Sequence, residues 1–364
     1  MTVVEFGEQF SAPTMNILVI GGNGFIGSFL LQQLQEQGHR VGVFHRGTRD
    51  AQLPVNVEPL IGDRRQLSSY RDSFVRFNPQ IVIDLILSSG PQAQELMSRF
   101  RGLARRVVVA SSMDVYRAVG VLHGSEPGEL EPLPLTEDSA LRTKPQTYPP
   151  ESVRMLQKVF GWLDEDYNKV EVERAVLSDE TLPATVLRLP MIYGPGDRLH
   201  RFFPVLKRMD DRREKILFAR DMAAWRSPRG YVENVASAIA LAATDERAAG
   251  RTYNVAEQQA FSELEWAGKI AAQVGWSGEF VILGKEDMPK HLLQPGNSAQ
   301  HWVVSSERIR SELGYRETVP LEEAIARTIA WERKNPPAGI SFHQFDYAAE
   351  DAVLDQLLDR GLSA

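Results

Sequence analysis

Four consecutive apolar residues, Ile17-Leu18-Val19-Ile20, run directly into Gly21-Gly22-Asn23-Gly24 and then into Phe25-Ile26-Gly27. A short uncharged run bounded by turn residues reads as a strand buried on both faces, as strands of a parallel sheet are. From Phe25 onward Phe25, Ile26, Phe29, Leu30 and Leu34 recur at helical spacing, and Gly38 stands where that helix ends. The glycines therefore occupy the corner where a strand hands the chain to a helix. The first amides of a helix lack internal partners and carry partial positive charge, so this corner attracts a phosphate. Gly21 permits the tight turn, Gly24 lets a pyrophosphate approach the backbone, and Gly27 lets the helix lie close on the sheet. The spacing is G-x-x-G-x-x-G instead of the commoner G-x-G-x-x-G. In this strand-and-helix context it predicts a dinucleotide site formed by Gly21, Asn23, Gly24, Phe25, Ile26 and Gly27.

The chain then alternates strand and helix signals. Val41 to Phe44 reads as a second strand, ending in His45-Arg46-Gly47. Many dinucleotide folds place an acid here for the ribose 2′-hydroxyl; Arg46, with Arg49 beyond it, suits a 2′-phosphate and favours NADP(H) over NAD(H). Val57 to Ile61 is a third strand, an edge because of Pro59, and ends at Asp63. Asp63 has two readings, an acceptor for an adenine amino group or the N-cap of the following helix. Ile81 to Leu85 and Arg106 to Ser111 supply two more strands, with a helix over Pro91 to Phe100 between them. Such alternation implies a doubly wound parallel α/β sheet of six or seven strands, a Rossmann architecture.

Gly120 to Pro150 is rich in proline and acids and reads as a long irregular connection of the kind that often covers a site. A helix over Tyr167 to Leu177 and a strand over Ala184 to Leu189 follow. Past Gly196 helices dominate: Arg198 to Met209 and Val232 to Ala243, then one opened by the capping box Ser262-Glu263-Leu264-Glu265. The expected organisation is an arm over 1–14, a dinucleotide-binding domain over 15–195 to which 232–256 returns, a smaller helical substrate domain over 196–231 and 257–335, and a tail over 336–364. That tail either wraps the domain surface or meets a second subunit, as in a homodimer.

A second block of motifs carries a family resemblance. Ser111-Ser112-Met113-Asp114-Val115-Tyr116, Leu187-Arg188-Leu189-Pro190-Met191-Ile192-Tyr193-Gly194-Pro195-Gly196, Arg229-Gly230-Tyr231-Val232-Glu233-Asn234-Val235-Ala236 and Tyr253-Asn254-Val255 appear in that order. Ile309 to Tyr315 and Pro320 to Ile325 close the series. From about Asn16 to Trp331 the chain resembles the extended short-chain dehydrogenase/reductases, the NAD(P)-dependent epimerase/dehydratase group. The resemblance implies Ser112 as the residue that orients a substrate oxygen, and Ser111 and Pro190 as cofactor contacts. It also implies Lys169 on the nicotinamide ribose and a tyrosine for proton transfer. Here the sequence departs: Tyr167 precedes Lys169 by two residues instead of four, and positions two apart on a helix face opposite ways. Tyr167 can act only from at or before the helix start, with its ring turned inward. The resemblance is closest to an atypical branch whose members often lack the full catalytic set.

Substrate contacts are expected from Met113, Trp225 and Arg229, the last two suiting a nucleotide-sugar diphosphate. In the other reading Trp225 packs, and Arg226 and Arg229 pair with acids. His200, His291 and His301 lack metal-ligand spacing, so no metal site is assigned. Net charge of −7 gives no reason to expect nucleic acid as partner. No apolar run reaches the roughly 20 residues of a membrane helix, and the absence of Cys fits a reducing, cytoplasmic setting. The expected activity is an NAD(P)-dependent oxidoreductase or epimerase/dehydratase on a polar, small-molecule substrate of nucleotide-sugar type. The alternatives are an NADP-binding sensor without turnover and, further off, an RNA-binding relative.

Overall fold

A computed structural model describes residues 14–47, 53–145, 148, 150–339 and 345–359. The expected N-terminal arm, all but its last residue, and Arg49 lie outside the described residues. In chain order the strands are β1 (Asn16–Ile20), β2 (Arg40–His45), β3 (Glu58–Ile61), β4 (Ile81–Asp84), β5 (Arg106–Ser112) and β6 (Ala184–Leu189). Then come β7 (Met191–Tyr193), β8 (Lys215–Ala219), β9 (Arg229–Tyr231), β10 (Thr252–Asn254) and β11 (Glu279–Leu283). Seven of them form one parallel sheet in the order β10-β6-β5-β4-β1-β2-β3. This is the expected doubly wound sheet.

Side chains alternate across the sheet because successive residues of a strand point to opposite faces. Ile17 and Val19 join one core, beneath the helices Phe25–Glu36 and Val232–Thr244. Leu18 and Ile20 join the other, shared with the helices Arg71–Phe77, Gly90–Phe100 and Lys169–Leu177. Both faces are covered, so the strands read as continuous apolar runs. Strand order reverses between β1 and β4, which opens a crevice at their carboxyl ends.

Three segments depart from the expected pattern. Gly120 sits inside the helix Arg117–Leu122, and a helix over Pro150–Val159 precedes the one expected next. The helix expected from Arg198 starts only at Phe203, because His200 adopts a left-handed φ of 48° and breaks the run. The second half also holds two small parallel pairs, β8 with β11 and β7 with β9. The tail folds back on this half: Glu350, on the helix Tyr347–Asp359, receives Arg208 at 2.6 and 3.1 Å. Among the described residues no helix is long and apolar enough to cross a membrane.

Candidate active site

The crevice contains a cavity of about 380 Å³. One end is the corner after β1. Gly21 takes a φ of +79°, and a Cβ there would meet Ile86 Cγ2 at 2.6 Å. Gly24 is the N-cap of the helix Phe25–Glu36; no side chain caps it and its first turn carries no acid. That helix end is therefore free of competing protein anions, as a phosphate site requires. Gly21, Asn23, Gly24, Phe25, Ile26 and Gly27 all line the cavity.

Arg46 and Asp63 line it beyond the ends of β2 and β3. Arg46 is exposed and takes part in no ion pair among the described residues. Asp63 accepts from Arg65 N at 2.9 Å, so it caps the turn that follows while still facing the cavity. Beneath them Arg64, 6% exposed, reaches Asp84 at the end of β4 at 2.7 Å.

The other end is built on β5, β6 and the helix Lys169–Leu177. Ser111, Ser112, Tyr167, Lys169 and Pro190 converge there on the same cavity. Ser112 caps the short turn Met113–Val115, its oxygen accepting from Asp114 N at 3.2 Å. Ser111 Oγ donates to the buried Glu173 at 2.6 Å, so its hydroxyl is committed within the fold. Lys169 is 3% exposed and donates to the carbonyls of Leu87 at 2.5 Å and Ala110 at 2.8 Å. Burial lowers its pKa to about 8, opposed by Asp114 and Asp84. An ammonium has three donors, so one remains for a ligand hydroxyl.

The Asn168 side chain caps the helix, accepting from Val170 N at 3.2 Å, so the helix starts at Lys169 and not at Tyr167. Tyr167 thus lies just before the helix with its ring 5.9 Å from Lys169 Nζ, and lines the cavity. Its hydroxyl donates to Asp114 Oδ2 at 2.8 Å. Burial and the Asp114 charge hold the phenol well above its ordinary pKa, against a smaller opposing pull from Ser112. At neutral pH Tyr167 is a neutral donor.

Met113, Trp225 and Arg229 do not reach the cavity. Met113 is fully buried in a cluster with Trp225 and Trp302. Trp225 Nε1 donates to Gln300 O at 3.0 Å, and Arg229 pairs with Glu263 at 2.6 Å while lying 4.8 Å from the Trp266 ring centroid. Arg226 pairs with Glu265 at 3.1 Å. Sequence reasoning missed the turn Phe160-Gly161-Trp162, which lines the cavity and sets Trp162 5.6 Å from Lys169 Nζ. It also missed Gln92 and Arg201 on the wall. Ser88 Oγ accepts from Asp164 N at 2.9 Å and so pins this turn from another part of the chain, leaving no local signal. No group of three or more His, Cys, Asp or Glu among the described residues is placed to hold a metal.

With this geometry the chain can be set beside known proteins. It is 27% identical over 183 residues to 2′-dehydrokanamycin reductase of Streptomyces kanamyceticus, covering 50% of this chain but only 44% of that enzyme. It is 23% identical to the chloroplast stem-loop binding protein of 41 kDa b of Arabidopsis thaliana, covering 94% of this chain and 85% of that one. The structure of the Bordetella bronchiseptica enzyme WbmG in complex with NAD and UDP superposes with a TM-score of 0.61 at 17% identity, over 88% of this chain and 96% of that one. The family model described as the NAD dependent epimerase/dehydratase family matches residues 17–256. On that match, and in keeping with its sheet order and glycine corner, the chain belongs to the NAD dependent epimerase/dehydratase family.

Proposed function

We propose that this protein is an NAD(P)-dependent oxidoreductase or epimerase/dehydratase acting on a polar small molecule of nucleotide-sugar type, with NADP(H) preferred. One observation carries the reading: an uncapped helix N-terminus and the set Ser112, Tyr167 and Lys169 open onto a single cavity. A bound nicotinamide would supply the hydride step. The corner from Gly21 to Gly27 would hold the pyrophosphate, and Lys169 the nearby ribose through its remaining proton. Ser112 would orient the substrate oxygen, with Tyr167 moving its proton. Arg46, at the carboxyl end of β2, supports the 2′-phosphate preference. The UDP held by WbmG supports the substrate class, and the reductase relative supports redox chemistry.

Calorimetry with NADPH and NADH, followed by a turnover screen over nucleotide sugars and aldehydes, tests the reading. The expected result is binding of NADPH tighter than of NADH, and turnover abolished in Tyr167→Phe. Failure to bind either coenzyme overturns it. A sensor without turnover is the second reading, favoured by the two-residue Tyr-Lys spacing; tight binding with no turnover across the screen would select it. RNA binding, suggested by the chloroplast relative alone, would require salt-dependent affinity for RNA.

A further inference from the structure

Asp114, on the short turn after β5, is 1% exposed, yet its carboxylate is only half satisfied. Oδ2 accepts from Tyr167 at 2.8 Å and lies 3.4 Å from the Tyr148 hydroxyl. Oδ1 has no hydrogen-bond partner among the described residues. Its nearest charge is Arg142, whose Nη2 forms a long buried ion pair with Oδ1 at 3.9 Å while its Nε holds the carbonyl of Asp114 and its Nη1 those of Lys144 and Pro145. A buried carboxylate oxygen without a hydrogen bond is costly, and the other oxygen of this carboxylate already accepts from a phenol on the cavity wall. Lys169, by contrast, spends two of its protons on main-chain carbonyls.

We propose that Asp114 is the terminal acceptor of a proton relay through Tyr167, a role that rests on the redox reading above. In the oxidative direction the substrate hydroxyl gives its proton to the Tyr167 oxygen as the Tyr167 proton crosses to Asp114 Oδ2. A bound oxidised nicotinamide would take the hydride from the same substrate carbon and be reduced by two electrons. The C–O bond would become a carbonyl and Asp114 would be left as a neutral carboxylic acid; reduction would run the steps backwards. Asp114 acts through Tyr167 and is a positioning residue. The charged and titratable groups that face it are Arg142 and Tyr148 on the segment before the helix Pro150–Val159, Tyr167 and Lys169, and His123 at the end of the helix Arg117–Leu122. Arg201 acts on Tyr148 from beyond.

The test needs no substrate at first. The phenolate titration of Tyr167 is isolated by ultraviolet difference against Tyr167→Phe, and the pair is repeated in the Asp114→Asn background. Removing the charge should make Tyr167 at least about tenfold more acidic. NADPH binding measured by calorimetry should be unchanged, since Asp114 does not line the cavity. An unmoved Tyr167 titration with NADPH still bound overturns the relay alone; failure of the wild type to bind either coenzyme overturns the redox reading itself. Should Asp114→Asn fail to fold, Tyr167→Phe gives the reciprocal measurement. Loss of the phenol should move the Asp114 carboxyl resonance in carbon NMR, and an unmoved resonance overturns the proposal. With a substrate from the screen, Asp114→Asn should lower kcat about 100-fold. It should also erase the acid limb of the kcat profile for oxidation, and a retained limb counts against the relay.

Discussion

Gly24 and Gly27 stand three residues apart and answer to different constraints. A Cβ at Gly27 would come within 2.3 Å of the Gly22 carbonyl oxygen, main chain that cannot turn aside. At Gly24 the nearest atom is Gly21 O at 3.4 Å, an ordinary contact. Gly27→Ala should therefore cost about 1–3 kcal/mol in urea unfolding. Gly24→Ala should stay within about 1 kcal/mol, yet weaken NADPH binding by calorimetry about tenfold or more, because in the proposed site its methyl would meet the pyrophosphate and not the fold. Lys169 gives a pH signature. With its pKa lowered from 10.5 to about 8, the unfolded chain binds the proton that the folded chain lacks between those values. Its contribution to stability thus rises with pH through that window. Denaturation at pH 8 and pH 10 should show the difference between wild type and Lys169→Met growing toward pH 10. The glycines and Lys169 were readable in the sequence because backbone geometry or a short motif dictates them. For Trp225 and Arg229 the sequence leaves substrate contact and internal packing both open, and the structure takes the second, because such a side chain goes where its partner waits, Gln300 O for one and Glu263 for the other.

The helix Lys169–Leu177 shows the same division at the scale of an element. Its apolar spacing is visible in the sequence, but it begins at Lys169 and not at the expected Tyr167, because the Asn168 side chain caps it. That cap decides the site, since it leaves Tyr167 outside the helix, where it lines the cavity. The helix is locked to the sheet by Glu173, which accepts from Arg188 at 2.8 and 3.0 Å and from Ser111 at 2.6 Å. Arg188 is 4% exposed and also holds Glu137 O at 2.9 Å. Glu173→Ala would strand a buried guanidinium, so a loss of about 3–5 kcal/mol is expected in urea unfolding. A nearly unchanged midpoint would show that the pair is dispensable.

Across the whole molecule, the helix Val232–Thr244 and β10 bring the second half back to the sheet, and Asn234 ties it further by accepting from Val319 N at 2.8 Å. Coenzyme binding should then stabilise both halves together, by about 2.7 kcal/mol at a hundredfold excess over Kd. In thermal melts NADPH should raise Tm more than NADH at equal concentration, and Arg46→Ala should remove the difference. An equal effect of the two coenzymes on the wild type would contradict the 2′-phosphate reading. The sequence by itself determined the first strand, the glycine corner, the helix after it and the alternation that makes a parallel sheet, because periodicity and turn chemistry act over a few residues. Only the tertiary structure decided which distant side chains meet. Tyr167 and Asp114 lie 53 residues apart in the chain, and the Tyr167 hydroxyl takes its acceptor from what the packed helix and β5 bring within 2.8 Å, a choice no local spacing encodes.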